Sequence, residues 1–238
     1  MSESAEQEFH LAEPALVCRW RLAGRHVPLL NRHMHALSQR RVAGAPLTAN
    51  MLGWVKQHIE WSLAEDATVA ADGVLMLVVD VEGQAAMSSG AYEPLADTSA
   101  AALAARAAEA RLEAEETGVA PEVLCALDGG VLAVGASADE HLCGAMTFVR
   151  QLAETRGCTV WFEPDVQALA SGEMGAPFLV SDEHGVVAAC GAGCEPDGEY
   201  ARDAGCAADE MPGPSSQDGL VTVAFLSSAF ETLRDKVR

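Results

Sequence analysis

Val123-Leu-Cys-Ala-Leu-Asp-Gly-Gly-Val-Leu-Ala-Val134 sets two short apolar runs on either side of Asp128-Gly129-Gly130. Asp-Gly and Gly-Gly supply the positive φ that a tight hairpin needs, so the stretch predicts a β-hairpin. Downstream, a helix is expected over about Gly144 to Arg156, ended by Gly157, then a strand over Thr159 to Phe162. Pro164 is placed to start a short helix at its first turn. A second hairpin is expected from Phe178-Leu-Val180 to Val186-Val187 through Asp182-Glu-His-Gly185. Gly191 to Pro214, rich in Gly, Cys, Asp and Pro, reads as an irregular excursion, and a last helix runs from about Gly219 to Asp235.

Upstream of the hairpin, Thr98 or Ser99 caps an alanine-rich helix that stops at Gly118. Gln84 to Leu95 reads as a linker, and Val74 to Val81 as a strand buried on both faces. Leu16 to Trp20 reads as a strand, with Gly24 in the turn and Val27 to Leu30 returning. Asn31 then caps a helix carrying Met34 and Leu37. From Leu47-Thr48 to about Leu63, a further helix aligns Leu52, Val55, Ile59 and Leu63 on one stripe, with Trp54 and Trp61 on the opposite side. A helix apolar on two faces is expected to be sandwiched between layers or between subunits, so both tryptophans are expected to be shielded.

Hairpins interleaved with helices, without regular βαβ alternation, predict an α+β protein of two unequal α/β layers. The domain boundary is expected in the linker, giving a small N-terminal domain over 1–90 and a larger one over 91–238.

Half of the 238 residues are apolar, which takes the chain out of the disordered class despite a formal net charge of −20. That charge opposes nonspecific binding to nucleic acid or anionic membranes. No uncharged run is long enough for a membrane span and the acidic start is unlike a signal peptide, so a cytoplasmic protein is expected. The odd count of seven cysteines then reads as reduced thiols.

Cys190, Cys194 and Cys206, with His184 upstream, offer thiolate and imidazole groups that suit zinc. Their C-x3-C-x11-C spacing is unlike the usual C-x2-C, and small thiols in a glycine-rich loop are the plainer reading, with no metal expected. His33 and His35 lie two apart on a helix and point away from each other, so with His26 they read as surface or interdomain histidines. Only two lysines occur, Lys56 and Lys236. Any mechanism that needs an amine nucleophile must use one of them. Lys56, four residues before Glu60, reads as a snorkelling surface lysine.

The order of the pieces resembles the class IV aminotransferases, the fold-type IV pyridoxal phosphate (PLP) enzymes. This family includes the branched-chain and D-amino-acid aminotransferases and aminodeoxychorismate lyase. Gly24-Arg-His-Val-Pro-Leu-Leu30 followed by His33-Met-His-Ala-Leu-Ser38 resembles the family's strand, turn and H-L-x-R-L-x-x-S helix, and Asp72-Gly-Val-Leu-Met-Leu-Val-Val79 its small-domain strand. Ala108-Glu-Ala110 with Gly118-Val-Ala-Pro-Glu-Val-Leu124 is similar to A-x-E-A … G-x-D-E-x-L, and Leu127-Asp-Gly-Gly-Val131 to L-D-x-x-G-x-V. Leu142-Cys-Gly144 resembles the start of L-P-G-I-T-R. Phe178-Leu-Val-Ser181 with Gly185-Val186 resembles the strand and turn near the cofactor phosphate.

By that resemblance the fold is the D-amino-acid aminotransferase-like one, the protein is a homodimer, and a small-molecule ligand sits in the interdomain cleft. Gly144, Arg150, Ser181 and Gly185 are the implied cofactor-binding positions. The departures fall on the chemistry. Asp97 of the pair Asp97-Thr98 stands where the family's imine-forming lysine is expected, and a carboxylate forms no imine. Val134 stands where the glutamate partner of the pyridinium nitrogen falls. Ala36 and Thr147 replace arginines of the phosphate region, with Arg150 one turn on as a partial substitute.

No catalytic residue and no cofactor are therefore expected, PLP being expected only if the family chemistry survives. The implied protein is a class IV aminotransferase-like pseudoenzyme that binds a small molecule or serves as a partner subunit. The alternatives are an active PLP-dependent aminotransferase or lyase, and a metal-binding protein working through the Cys190 to Cys206 loop.

Overall fold

The computed structural model describes residues 10–63, 70–163, 165–190 and 214–236. In chain order the elements are β1 (Pro14–Leu22), α1 (Leu30–Ser38), the short pair β2 (Arg41–Val42) and β3 (Ala45–Pro46), and α2 (Ala49–Gln57), which continues as a π-helical turn over His58–Leu63. Then come β4 (Gly73–Asp80), β5 (Ala85–Gly90), α3 (Ala100–Thr117), β6 (Val123–Asp128), β7 (Val131–Val134), α4 (Gly144–Thr155), β8 (Thr159–Phe162), α5 (Val166–Ala170), β9 (Ala176–Ser181), β10 (Gly185–Ala188) and α6 (Pro214–Lys236).

The first sheet is antiparallel with order β1-β4-β5, and all its strands come from before residue 91. The second has order β10-β9-β6-β7-β8. Its single parallel pair is β7 with β8, joined across α4.

Alternation along the strands of the second sheet feeds two cores. Val123, Cys125, Leu127, Leu132, Val134, Phe178 and Val180 pack with α4 and α6 on one face. Leu124, Ala126, Ala133 and Leu179 pack with Leu103, Ala104 and Ala107 of α3 and Leu169 of α5 on the other. The first sheet buries Leu16, Trp20, Leu75 and Leu77 against Leu37 of α1 and Val55, Ile59 and Leu63 of the α2 segment.

Both expected hairpins form, as do the helix from Gly144 and the strand Thr159–Phe162. Ser99 caps α3 by accepting from the Ala102 amide, and Gly118 closes that helix at φ +60. Thr48 caps α2 in the same way through the Met51 amide.

Several local expectations need correction. Val27 to Leu30 forms no return strand; a single bridge joins Ala23 to His26. Asn31 does not cap α1: Leu29, at φ +60, stands at the cap position without a side-chain bond. The Asn31 side chain instead accepts from Lys56. Gln84 to Leu95 is not all linker, because Ala85–Gly90 is strand β5, paired along the edge of β4. Its small, weakly apolar side chains hide the strand signal, which comes from backbone pairing.

Within the single chain, the second face of this helix is not sandwiched between layers. Trp54 is 41% exposed and Trp61 62% exposed, because only the stripe carrying Val55, Ile59 and Leu63 faces the sheet. Trp54 stacks on His58 instead of entering a core. Pro164 and residues 191–213, with Cys194 and Cys206, lie outside the described residues. Asp165 caps α5 through the Gln167 and Ala168 amides.

Candidate functional site

The two sheets meet where the turn between β9 and β10 reaches β1 and the start of α4. The Arg21 amide of β1 donates to the Asp182 carbonyl oxygen at 3.1 Å. Helix α4 begins after Cys143, which makes no side-chain cap bond. A helix start leaves amide donors unmet and favours negative charge. Asp182 supplies both needs from across the fold: Oδ1 accepts from the Ala145 amide at 2.8 Å and Oδ2 from the Gly144 amide at 3.4 Å.

His33 of α1 closes the other side of this carboxylate. Its side chain is 2% exposed, and Nδ1 lies 3.3 Å from Asp182 Oδ2. That nitrogen has no hydrogen-bond partner, and its contact with the carboxylate is an ion pair when the ring is protonated. The ring stacks on Trp20 at 5.6 Å. Gly144 is required beneath it, since a Cβ there would meet His33 Nδ1 at 2.5 Å and its backbone nitrogen at 2.9 Å. Burial pushes the Asp182 carboxyl upward, but the His33 ring and the Ala145 and Gly144 amides outweigh it and hold the group below the usual carboxylate range.

A second polar group lies one residue away. Ser181 Oγ donates to Glu122 Oε1 at 2.9 Å and accepts from the Glu183 and His184 amides. Glu122 also receives Arg106 Nε at 2.6 Å and Nη2 at 3.3 Å. His184 Nδ1 lies 3.3 Å from the Tyr92 hydroxyl, and the Arg21 guanidinium lies over the Tyr92 ring. Burial pushes the His184 imidazole below its usual range despite nearby Glu122. The cavity lined by Arg19, Arg106, Glu113, Glu122, Ser181 and Glu183 measures about 20 Å³, room for about one water.

No protein-family model matches this sequence, and no curated protein matches it. Solved structures match it in shape. A hypothetical aminotransferase from Mycobacterium tuberculosis, in its α-ketoglutarate- and PMP-bound form, aligns with 94% of this chain and 96% of its own at a TM-score of 0.53 and 13% identity. The PLP-bound form aligns with 77% of this chain and 86% of its own at a TM-score of 0.52 and 13% identity.

The fold is that of the fold-type IV aminotransferases. Identity this low speaks for the fold and leaves the chemistry to the site itself. On the fold-type IV frame, Asp97 is exposed at the approach to α3, where its carboxylate accepts from the Ser99 amide at 2.8 Å. That bond holds the Asp97 carboxyl below the usual range. Val134 is fully buried among apolar neighbours, and Ala36 is buried. Thr147 spends its hydroxyl on the Gly144 carbonyl at 2.7 Å. Lys56 lies on α2, its ammonium 3.2 Å from Asn31 Oδ1 and 3.8 Å from Glu60.

The four residues that the resemblance makes cofactor ligands are engaged with other groups of the chain in this structure. The Gly144 amide is taken by Asp182, a fixed anion in the place where a phosphate would need donors. Ser181 is 1% exposed and bound to Glu122. The open side of Gly185, at φ +75, is filled by the Phe230 ring. Arg150 is exposed and lies 3.8 Å from Glu154 on its own helix. Gly144, Ser181 and Gly185 are gathered around one turn; Arg150 is not among them.

Cys190 is half-buried and its amide donates to the Thr98 carbonyl at 2.9 Å. Among the described residues no three His, Cys, Asp or Glu side chains group to hold a metal ion. Among them, too, no helix is long and apolar enough to cross a membrane.

Reading the sequence missed Asp182, His33 as its partner, and Glu122. Asp182 carried only a turn signal and His33 only a place in a histidine cluster. The signal that was available is the cap position of α4, where Cys143 is a poor capping residue and so calls for an acceptor from elsewhere.

Proposed function

We propose that this chain is a non-catalytic protein of the fold-type IV aminotransferase fold, performing no Schiff-base chemistry and acting as a binding or partner subunit. The observation that carries the reading is the placement of its amines. Lys56 is bound to Asn31 and Glu60 on the exposed side of α2, and Lys236 ends α6. Asp97, at the position where the resemblance expects the nucleophile, is engaged with the Ser99 amide. An amine attacks a carbonyl only when it is unprotonated and held against it. Lys56, half-exposed and engaged with Asn31 and Glu60, lines neither cavity of the described residues and is held against no carbonyl site.

The reading includes a homodimer working in the cytoplasm, with any small-molecule ligand held between the two sheets without covalent attachment. The test is to mix purified protein with PLP, reduce with borohydride and map any adduct by mass spectrometry. The expected result is no stoichiometric adduct. A single stoichiometric adduct on Lys56 or Lys236, accompanied by transaminase or lyase turnover, would replace this reading with an active PLP enzyme. Sedimentation of the full chain checks the dimer.

A further inference from the structure

We propose that Asp182 is a built-in ligand: its carboxylate permanently occupies an oxyanion cradle formed by the start of α4 and His33, and this keeps the place closed to free phosphate-type anions. The cradle is more than a bare helix terminus. The Gly144 and Ala145 amides converge on the carboxylate at 3.4 and 2.8 Å. From the opposite side comes His33, 2% exposed, whose Nδ1 has no hydrogen-bond partner and lies 3.3 Å from the same group. Two helix-start amides donating to one carboxylate, with an unpartnered buried imidazole nitrogen 3.3 Å from it on the opposite side, make up an oxyanion site. Here the anion arrives on the chain itself.

Tethering explains why the chain's own carboxylate wins. A group held by a short turn competes at an effective concentration of roughly millimolar or above, so a free anion of similar intrinsic affinity must exceed that concentration to displace it. The same residue also fastens the fold. Its carbonyl oxygen accepts from Arg21 of β1, its carboxylate from α4, and it faces His33 of α1. Closure of this region therefore comes from the covalent chain and requires no bound cofactor.

The inference extends the non-catalytic reading but fails separately from it. An adduct on Lys56 would end that reading and leave Asp182 in place. The test uses the full chain as wild type, Asp182→Ser and Asp182→Asn. Inorganic phosphate is the probe, with chloride at matched ionic strength as the control. In the wild type, the Gly144 and Ala145 amide resonances should ignore phosphate and the Tm should follow the chloride control. In Asp182→Ser the same amides should shift with saturation, and the lowered Tm should climb back toward the wild-type value. Asp182→Asn keeps an acceptor for Ala145, so it should fold well and show a weaker phosphate response. If Asp182→Ser is unfolded in plain buffer, refolding on addition of phosphate supports the inference. Phosphate shifts in wild type as large as in a variant would overturn it. So would an Asp182→Asn whose Gly144 and Ala145 amides ignore phosphate.

Discussion

Asp182 accepts a 2.8 Å hydrogen bond from the backbone of Ala145, a residue 37 positions earlier in the chain, and so caps a helix to which it does not belong. The consequence is an anion fixed between three elements. Its charge state becomes a handle on how the region is held together.

Stability should respond to acid through this group. Its folded pKa is depressed, so its contribution is fully present above the unfolded carboxyl value of roughly 3.9 and is lost as pH falls through the folded value. The groups facing it are His33 from α1, Cys18 from β1 and Cys143 ahead of α4. Urea denaturation of wild type and Asp182→Asn across pH should show a stability gap that is constant near neutrality and narrows below about pH 4. A gap unchanged down to pH 2 would mean that Asp182 carries no depressed pKa.

Gly144→Ala should destabilise by about 1–3 kcal/mol, the range for overpacking a close contact. The added Cβ would lie 2.5 Å from His33 Nδ1 and 3.0 Å from its Cα, and backbone atoms cannot rotate away. Denaturant midpoints measure this directly. Gly53→Ala, at a helical glycine with open space around its Cβ, should instead be neutral or stabilising.

Thiol labelling should divide the described cysteines into two groups. Cys18, Cys125 and Cys143 are buried, and burial, with Asp182 nearby, pushes the Cys18 thiol up to about 12. Such thiols carry almost no thiolate at neutral pH and should remain unmodified in the native state. Cys158 and Cys190 are half-exposed and should react first, as peptide mapping after a short alkylation would show.

Iodide should quench most of the tryptophan emission. Trp54, Trp61 and Trp161 are 41%, 62% and 54% exposed, whereas Trp20 is 2% exposed beneath His33. A residual unquenched component that disappears in Trp20→Phe would confirm the assignment.

The sequence by itself determined the elements whose signals are local. Asp128-Gly129-Gly130 forces a turn because glycine alone accepts such backbone angles cheaply, with φ of +52 and +85 there. Ser99 and Gly118 bound α3 through bonds that span only a few residues. The order of such pieces carried the resemblance whose fold the structure shows. Strand β5 was not legible, because Ala85–Gly90 is held by partners on β4 and has little apolar pattern of its own. Nor was the outward turn of Trp54 and Trp61, since periodicity says which residues share a face and not which face finds a partner.

At the candidate site, the sequence supplied the expectation of losses, which rests on the resemblance. Asp97, Val134, Ala36 and Thr147 are read one position at a time against an expected chemistry. Only the tertiary structure decided what surrounds the start of α4. Whether Asp182 is a solvated turn residue or a buried anion depends on where α4 starts and how closely His33 packs on Gly144. Those contacts join residues tens to more than a hundred positions apart, and their electrostatic energy falls off with distance in space, not along the chain.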